Sequence, residues 1–208
     1  MDIIRVPAKR GLELKGAIFG GGSMDSVVIM ISGICSNVFQ NDLLTASGNL
    51  LMKNGIAFIA GHTTDAFSCM GYSDLIAGKQ IYTGTVFSDF SIVYEDVDAY
   101  IKYAKDLGFK DIILAGHSLG SNKIIHYLGN TSEETVNYFI VTAPVDLAHW
   151  FRVMPDAEQC LEEAKDMIAK GRGKDILPRL FGGFSPMTAE SVLNLYNASN
   201  LKNCPVIS

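Results

Sequence analysis

Short apolar runs alternate with longer amphipathic stretches along the chain, the pattern of strands alternating with helices. Ile3 to Pro7 and Leu12 to Phe19 flank Lys9-Arg10-Gly11 and predict an antiparallel hairpin. Gly20-Gly21-Gly22-Ser23 is a turn. Ser26 to Ser32 is almost wholly apolar, as suits a parallel strand covered on both faces. Leu43, Leu44, Ser47, Leu50 and Leu51 fall at helical spacing, and Asn54-Gly55 ends that helix. Ile56 to Ala60 is the next strand, and residues 61–85, rich in Gly, Ser, Thr and Asp, are expected to form a long loop. Phe90, Val93, Val97, Ile101 and Ala104 mark one face of a helix closed by Gly108. Asp111 to Ala115 is a strand, Ser121 to Leu128 a helix and Tyr138 to Thr142 a further strand.

The register changes at Pro144. Residues 146–200 are expected to be wholly helical. Ala157, Cys160, Leu161, Ala164, Met167 and Ile168 form an i, i+3, i+4, i+7 stripe after Pro155. Thr188 is placed to cap a last helix carrying Val192, Leu193 and Tyr196. Cys204 to Ser208 has the character of a strand beginning. The division predicted is therefore a core over residues 1–145, a helical insertion over 146–200 and a returning core strand from 201 to 208. The fold class is α/β: a three-layer αβα sandwich on a mostly parallel sheet with an N-terminal antiparallel hairpin.

Composition narrows the function. The chain has 208 residues, 48% hydrophobic and 19% charged, so it can bury a real core and is not a disordered chain. Lys plus Arg total 17 against 22 Asp plus Glu, a net charge of −5, which argues against nucleic-acid binding through a positive field. No apolar run approaches the about 18 residues of a membrane span. Met1 to Arg5 shows no basic region leading into an apolar stretch, so no signal peptide is expected. Cys35, Cys69, Cys160 and Cys204 are far apart and form no Cys-x-x-Cys pair. They predict reduced thiols in a cytoplasmic protein, with no metal site and no cofactor.

Gly116-His117-Ser118-Leu119-Gly120 matches G-x-S-x-G. The bare pattern is weak, but here it sits between a predicted strand and a predicted helix. A sharp turn there holds Ser118 in a strained conformation with its hydroxyl exposed, and glycines on either side let the two backbones pass closely. Ser118 is thus the candidate nucleophile at a helix N-terminus, where free N–H groups favour developing negative charge. An oxyanion hole needs two donors. The backbone N–H of Leu119 is one candidate. The loop Ser32-Gly33-Ile34-Cys35-Ser36-Asn37 supplies the other, with the Ile34 N–H preferred and Cys35 as the fallback.

At these residues the chain resembles the α/β-hydrolase superfamily, over roughly residues 3–145 and again from 205. Besides the turn at Ser118, Ser32-Gly33 stands where many members have His-Gly, and Tyr94 to Ile101 is similar to the helix before the nucleophile strand. Gly61-His62 is similar to a Gly-His after an earlier strand, though the usual preceding Arg is absent. Residues 146–200 resemble the helical cap of many members. The resemblance implies a serine hydrolase cleaving an ester, thioester or related acyl bond of a small-molecule substrate. Trp150, Phe151, Met154, Leu180, Phe181 and Phe184 would cover an apolar acyl pocket or simply pack cap on core. It also implies a triad in the order Ser, acid, His. Acid and His are expected beyond residue 208, in roughly 60 further residues, so the fold is read as lacking its C-terminal strands.

The four histidines at 62, 117, 126 and 149 offer few substitutes. His62 is expected to line the pocket, His117 to pack under its loop, and His126 to face solvent or a neighbouring helix. Asp146 and His149 are a candidate irregular dyad; the plainer reading makes Asp146 a helix cap and packs His149 beside Trp150. Asp65, Asp74 and Asp89 read as a solvated loop without ligand spacing for a metal. A non-catalytic chain keeping the fold for binding or assembly is the competing function, and an uncovered sheet edge predicts self-association.

Overall fold

The computed structural model describes residues 1–22 and 24–199. The predicted strand at 201–208 lies outside the described residues. In chain order the strands are β1 (Asp2–Pro7), β2 (Glu13–Phe19), β3 (Ser26–Ile31), β4 (Ala57–Gly61), β5 (Met70–Asp74), β6 (Lys79–Thr83), β7 (Asp111–His117) and β8 (Val136–Thr142). The helices are α1 (Asp42–Lys53), α2 (Val93–Asp106), α3 (Leu119–Asn130), α4 (Leu147–Val153), α5 (Ala157–Ala169) and α6 (Ala189–Ser199). Six strands make one sheet in the order β1-β2-β4-β3-β7-β8. The hairpin β1/β2 is antiparallel, β2 joins β4 antiparallel, and β4, β3, β7 and β8 run parallel.

Apolar residues on both sides of β3 explain its continuous run. Val28 and Met30 pack with Phe58 and with Leu44 of α1 on one face. Val27, Ile29 and Ile31 pack with Val97 and Tyr100 of α2 and Ile124 of α3 on the other. The sheet is therefore covered by helices on both sides, as an all-parallel centre requires. Helix α1 begins at Asn41, whose side chain accepts the Leu43 N–H at 3.0 Å, and its exit is made by Gly55 at φ 78°.

The second core extends without a break from the sheet into α4, α5 and α6, through Leu147, Phe151, Cys160, Ala164 and Val192. Thr188 caps α6 as expected, its Oγ1 accepting the Ser191 N–H at 3.2 Å. The Thr188 N–H donates to the Val86 carbonyl at 2.9 Å and so ties α6 to the core.

Two expectations need correction. Residues 61–85 are not simply a loop: β5 and β6 form an antiparallel hairpin, and Thr85–Phe87 is a 3-10 turn. Within β5 and β6 only Tyr72 and Thr83 are buried, so the hairpin lacks a strong apolar alternation. Residues 146–200 are not wholly helical either. Residues 170–188 are irregular, stitched by isolated bridges between Ile176 and Thr188 and between Phe181 and Ser185. Gly171, Gly182 and Gly183 adopt positive φ there, which helix does not permit.

A buried carboxylate joins three segments. Asp96 of α2 receives Arg10 Nη2 at 2.5 Å and both the N–H and the hydroxyl of Thr64 at 2.7 Å. Burial pushes the Asp96 carboxyl up, while Arg10 and Thr64 pull it down. Among the described residues β8 forms one edge of the sheet, with Tyr138 and Phe139 69% and 60% exposed on opposite faces.

Candidate active site

Strand β7 ends at His117, and the chain turns abruptly into α3. Ser118 makes that turn with φ 55° and ψ −131°, a backbone conformation costing an L-residue about 1–3 kcal/mol. The surroundings over-determine it. The Ser118 N–H donates to the Thr142 carbonyl at 3.0 Å, and the hydroxyls of Ser121 and Thr142 both donate to the Gly116 carbonyl at 2.8 Å. Close approach explains the flanking glycines. A Cβ on Gly120 would lie 2.0 Å from the Ile31 carbonyl oxygen, and one on Gly116 would lie 2.6 Å from the Ser121 Cα.

Ser118 is half-buried, and among the described residues its hydroxyl has no hydrogen-bond partner. The loop after β3 passes directly over it: a Cβ on Gly33 would meet Ser118 Cβ at 2.9 Å and Oγ at 3.0 Å. The next residue, Ile34, has an N–H without a partner among the described residues. Leu119 is the first residue of α3, so its N–H has no intrahelical acceptor. Cys35 is different. Its N–H is taken by Thr85 Oγ1 at 3.0 Å, which removes it as the fallback donor.

Ile34, Ser118 and Leu119 line one cavity of about 290 Å³. Its remaining walls are Val145, Leu147, Trp150, Phe184 and Leu195, so among the described residues Ser118 is its only hydroxyl-bearing or charged lining residue. Of the aromatic and apolar residues expected over such a pocket, Trp150 and Phe184 line it. Phe151, Met154 and Phe181 are buried in the core, and Leu180 is exposed. Trp150 is held against Phe181, ring centroids 5.4 Å apart and nearly perpendicular. A larger groove of about 620 Å³, walled by charged side chains such as Lys9, Glu95, Asp98 and Lys102, shares no residue with this cavity.

Two of the histidines are engaged elsewhere. His62 is buried, its Nε2 accepting the Val38 N–H at 2.9 Å between the rings of Phe39 and Phe67. Burial lowers its pKa to about 4. It does not line the Ser118 cavity, contrary to expectation. His126 packs on the neighbouring helix, its Nε2 2.6 Å from the Tyr94 hydroxyl, and burial lowers its pKa. Asp146 caps α4 by accepting the His149 N–H at 2.8 Å; His149 is exposed, and neither residue lines the cavity. The Asp146 cap is as the plainer reading has it, whereas His149 is exposed rather than packed. Asp65 corrects the expectation of a solvated acidic loop. It is buried and receives Lys123 Nζ at 2.5 Å and the Thr63 hydroxyl at 2.7 Å. Asp74 and Asp89 accept neighbouring backbone N–H groups. No helix among the described residues is long and apolar enough to cross a membrane.

Known proteins share this architecture. The α/β hydrolase GrgF from Penicillium sp. sh18 superposes with a TM-score of 0.66 at 14% identity, over 99% of this chain and 82% of that one. Est1E from Butyrivibrio proteoclasticus gives 0.60 at 14% identity, over 95% and 70%. The Pyrococcus furiosus esterase Pf2001 gives 0.56 at 17% identity, over 95% and 62%. At such identities the likeness is one of fold, and the fold is that of the α/β hydrolases. The UPF0613 protein PB24D3.06c of Schizosaccharomyces pombe is 30% identical over 125 residues, 54% of this chain. The chain matches only 39% of that relative's length. A family profile, described as "Protein of unknown function (DUF1749)", matches residues 22–200. With most of its length matched by that profile and its sheet built as in the α/β hydrolases, the chain belongs to the DUF1749 family.

Proposed function

We propose that this protein is a serine hydrolase that cleaves an ester, thioester or related acyl bond. The observation that carries the reading is the strained Ser118, whose hydroxyl has no hydrogen-bond partner among the described residues, in the wall of an apolar cavity. A backbone this costly, held by three hydrogen bonds from its surroundings, is expected where it aims a reacting group. In this reading Ser118 Oγ attacks the acyl carbon. The N–H groups of Ile34 and Leu119 take the negative charge that develops on the carbonyl oxygen. The alcohol or thiol leaves, and water then releases the acyl group from Ser118 as a carboxylic acid. Serine needs a base to accept its proton. No histidine among the described residues lines the Ser118 cavity or bonds the Ser118 hydroxyl, so the reading requires a base from outside them.

The cavity sets the substrate class. At about 290 Å³ it lies at the lower end of small-molecule sites, roughly 300–1,000 Å³, and among the described residues it carries no charged wall. It suits a short, uncharged acyl chain, with α4 to α6 serving as the cap over it. We further propose that the β8 edge, unpaired among the described residues, supports self-association, because unpaired edge strands with large apolar side chains pair with other chains. Sedimentation of wild type against Phe139→Lys tests that part. A concentration-independent monomer in wild type would refute it.

The test of the activity is hydrolysis of p-nitrophenyl esters of graded acyl length by the full-length protein. The reading expects turnover that falls with chain length and disappears in Ser118→Ala. Turnover retained by Ser118→Ala would overturn it.

A further inference from the structure

The turn that carries Ile34 is itself strained. The Ser36 N–H donates to the Gly33 carbonyl at 3.3 Å, closing a four-residue turn with Ile34 and Cys35 at its centre. Cys35 has φ 56°. A positive φ at the third position is the mark of a type II turn, where glycine is normally required. Cysteine has a Cβ and costs about 1–2 kcal/mol there. Something must hold the turn in this form, since a flip of its central peptide would relieve Cys35.

Thr85 is that anchor. Its side chain is fully buried, and its Oγ1 accepts the Cys35 N–H at 3.0 Å. The same hydroxyl donates to the Asp65 carbonyl at 2.8 Å, so its proton is committed and a lone pair is aimed at Cys35. Thr85 is fixed through its backbone too, its N–H donating to the Phe67 carbonyl at 2.8 Å. Asp65 is fixed in turn. Its carboxylate receives Lys123 Nζ, and Lys123 lies on α3, the helix that Ser118 begins. A continuous buried chain therefore runs from the Ser118 helix through Lys123, Asp65 and Thr85 to the turn that carries Ile34.

Resting on the reading of Ser118 as nucleophile, we propose that Thr85 is a positioning residue that locks the Gly33–Ser36 turn so that the Ile34 N–H is presented to the acyl oxygen. Thr85 touches no substrate. It acts by fixing the peptide next to the donor, and Lys123 and Asp65 keep it in register with the helix that carries Ser118. Losing one oxyanion donor costs about 10²–10³ in rate, and a donor left in a mobile turn costs a part of that.

The experiment measures the second-order rate of Ser118 labelling by a fluorophosphonate in the full-length protein, read by mass spectrometry of the labelled peptide. Thr85→Val keeps the shape and removes the hydroxyl; it is expected to slow labelling by about tenfold or more. Thr85→Ser keeps the hydroxyl and should label near the wild-type rate. The double variant Cys35→Gly with Thr85→Val should recover most of the loss, because glycine holds a positive φ without an anchor. A merely structural role for Thr85 would not be rescued at Cys35. If Thr85→Val does not fold, Cys35→Val attacks the same turn with Thr85 intact, and it too should label slowly because a β-branched residue resists positive φ. Wild-type rates in whichever of these two folds, or no recovery in the double variant, would overturn the inference and leave the Ser118 reading standing. Absence of any label on Ser118 in wild type would overturn both.

Discussion

His62 gives the structure a pH dependence that can be worked out in advance. In the folded chain its pKa is lowered to about 4 by burial, against an ordinary value of 6.5. Nε2 accepts the Val38 N–H, so the neutral ring carries its proton on Nδ1, an atom that is buried without a partner among the described residues. Protonating the ring would cost the Val38 hydrogen bond and bury a charge. The unfolded chain takes up that proton near pH 6.5 and the folded chain only near pH 4, so stability falls as pH drops through that window and levels off below it. From the two pKa values, the loss between pH 7.5 and pH 5 is about 2 kcal/mol. For a chain of this size that lowers the melting temperature by roughly 4–8 °C. The assay is thermal melting of wild type and His62→Gln at both pH values. Other groups, His126 included, contribute to both proteins, so the difference between the two pH dependences isolates His62. Equal losses in the two proteins, or an NMR titration of the His62 ring near pH 6.5, would refute the reasoning.

Other consequences follow from close packing and from burial. Gly120→Ala sets a Cβ against the Ile31 backbone, where only a backbone shift relieves the clash. It is expected to destabilise by about 2–3 kcal/mol in chemical denaturation and to abolish Ser118 labelling; a stable, fully labelled variant would count against the turn geometry. Arg10→Met leaves the buried Asp96 carboxylate without its ion-pair partner and is expected to cost about 3 kcal/mol. Adding Asp96→Asn should recover part of that loss, and denaturant melts of the single and double variants measure it.

How much of this was legible in the residues depends on how local each signal is. The apolar run of β3, the Asn54-Gly55 helix end and the strand–Gly–helix context of Ser118 are short-range patterns, and all three appear where the sequence puts them. The β5/β6 hairpin is different. Gly71, Ser73 and Asp74 are poor strand formers, and only Ala77-Gly78, with Gly78 at φ 62°, signals its turn. Within 170–188 the breakers Gly171, Pro178, Gly182, Gly183 and Pro186 end the helical pattern that the stripe of α5 suggests should continue. The candidate site divides in the same way. Ser118, Ile34 and Leu119 come from motif context and meet in one cavity. Thr85, Asp65 and Lys123 belong to no motif; 20 to 58 residues separate the bonded positions, and nothing local announces such pairings. Val145 and Leu195 likewise reach the cavity only through the packing of elements distant in sequence.

The central claim is that the bend at position 118 aims an oxygen at an acyl carbon whose own oxygen sits on two main-chain N–H groups. A crystal structure of the full-length protein after fluorophosphonate treatment tests it most directly. The account predicts phosphorus bonded to Ser118 Oγ, with the phosphonyl oxygen within about 3 Å of the nitrogens of both Ile34 and Leu119. Phosphorus on another residue, or an oxygen turned away from those two nitrogens, would contradict it.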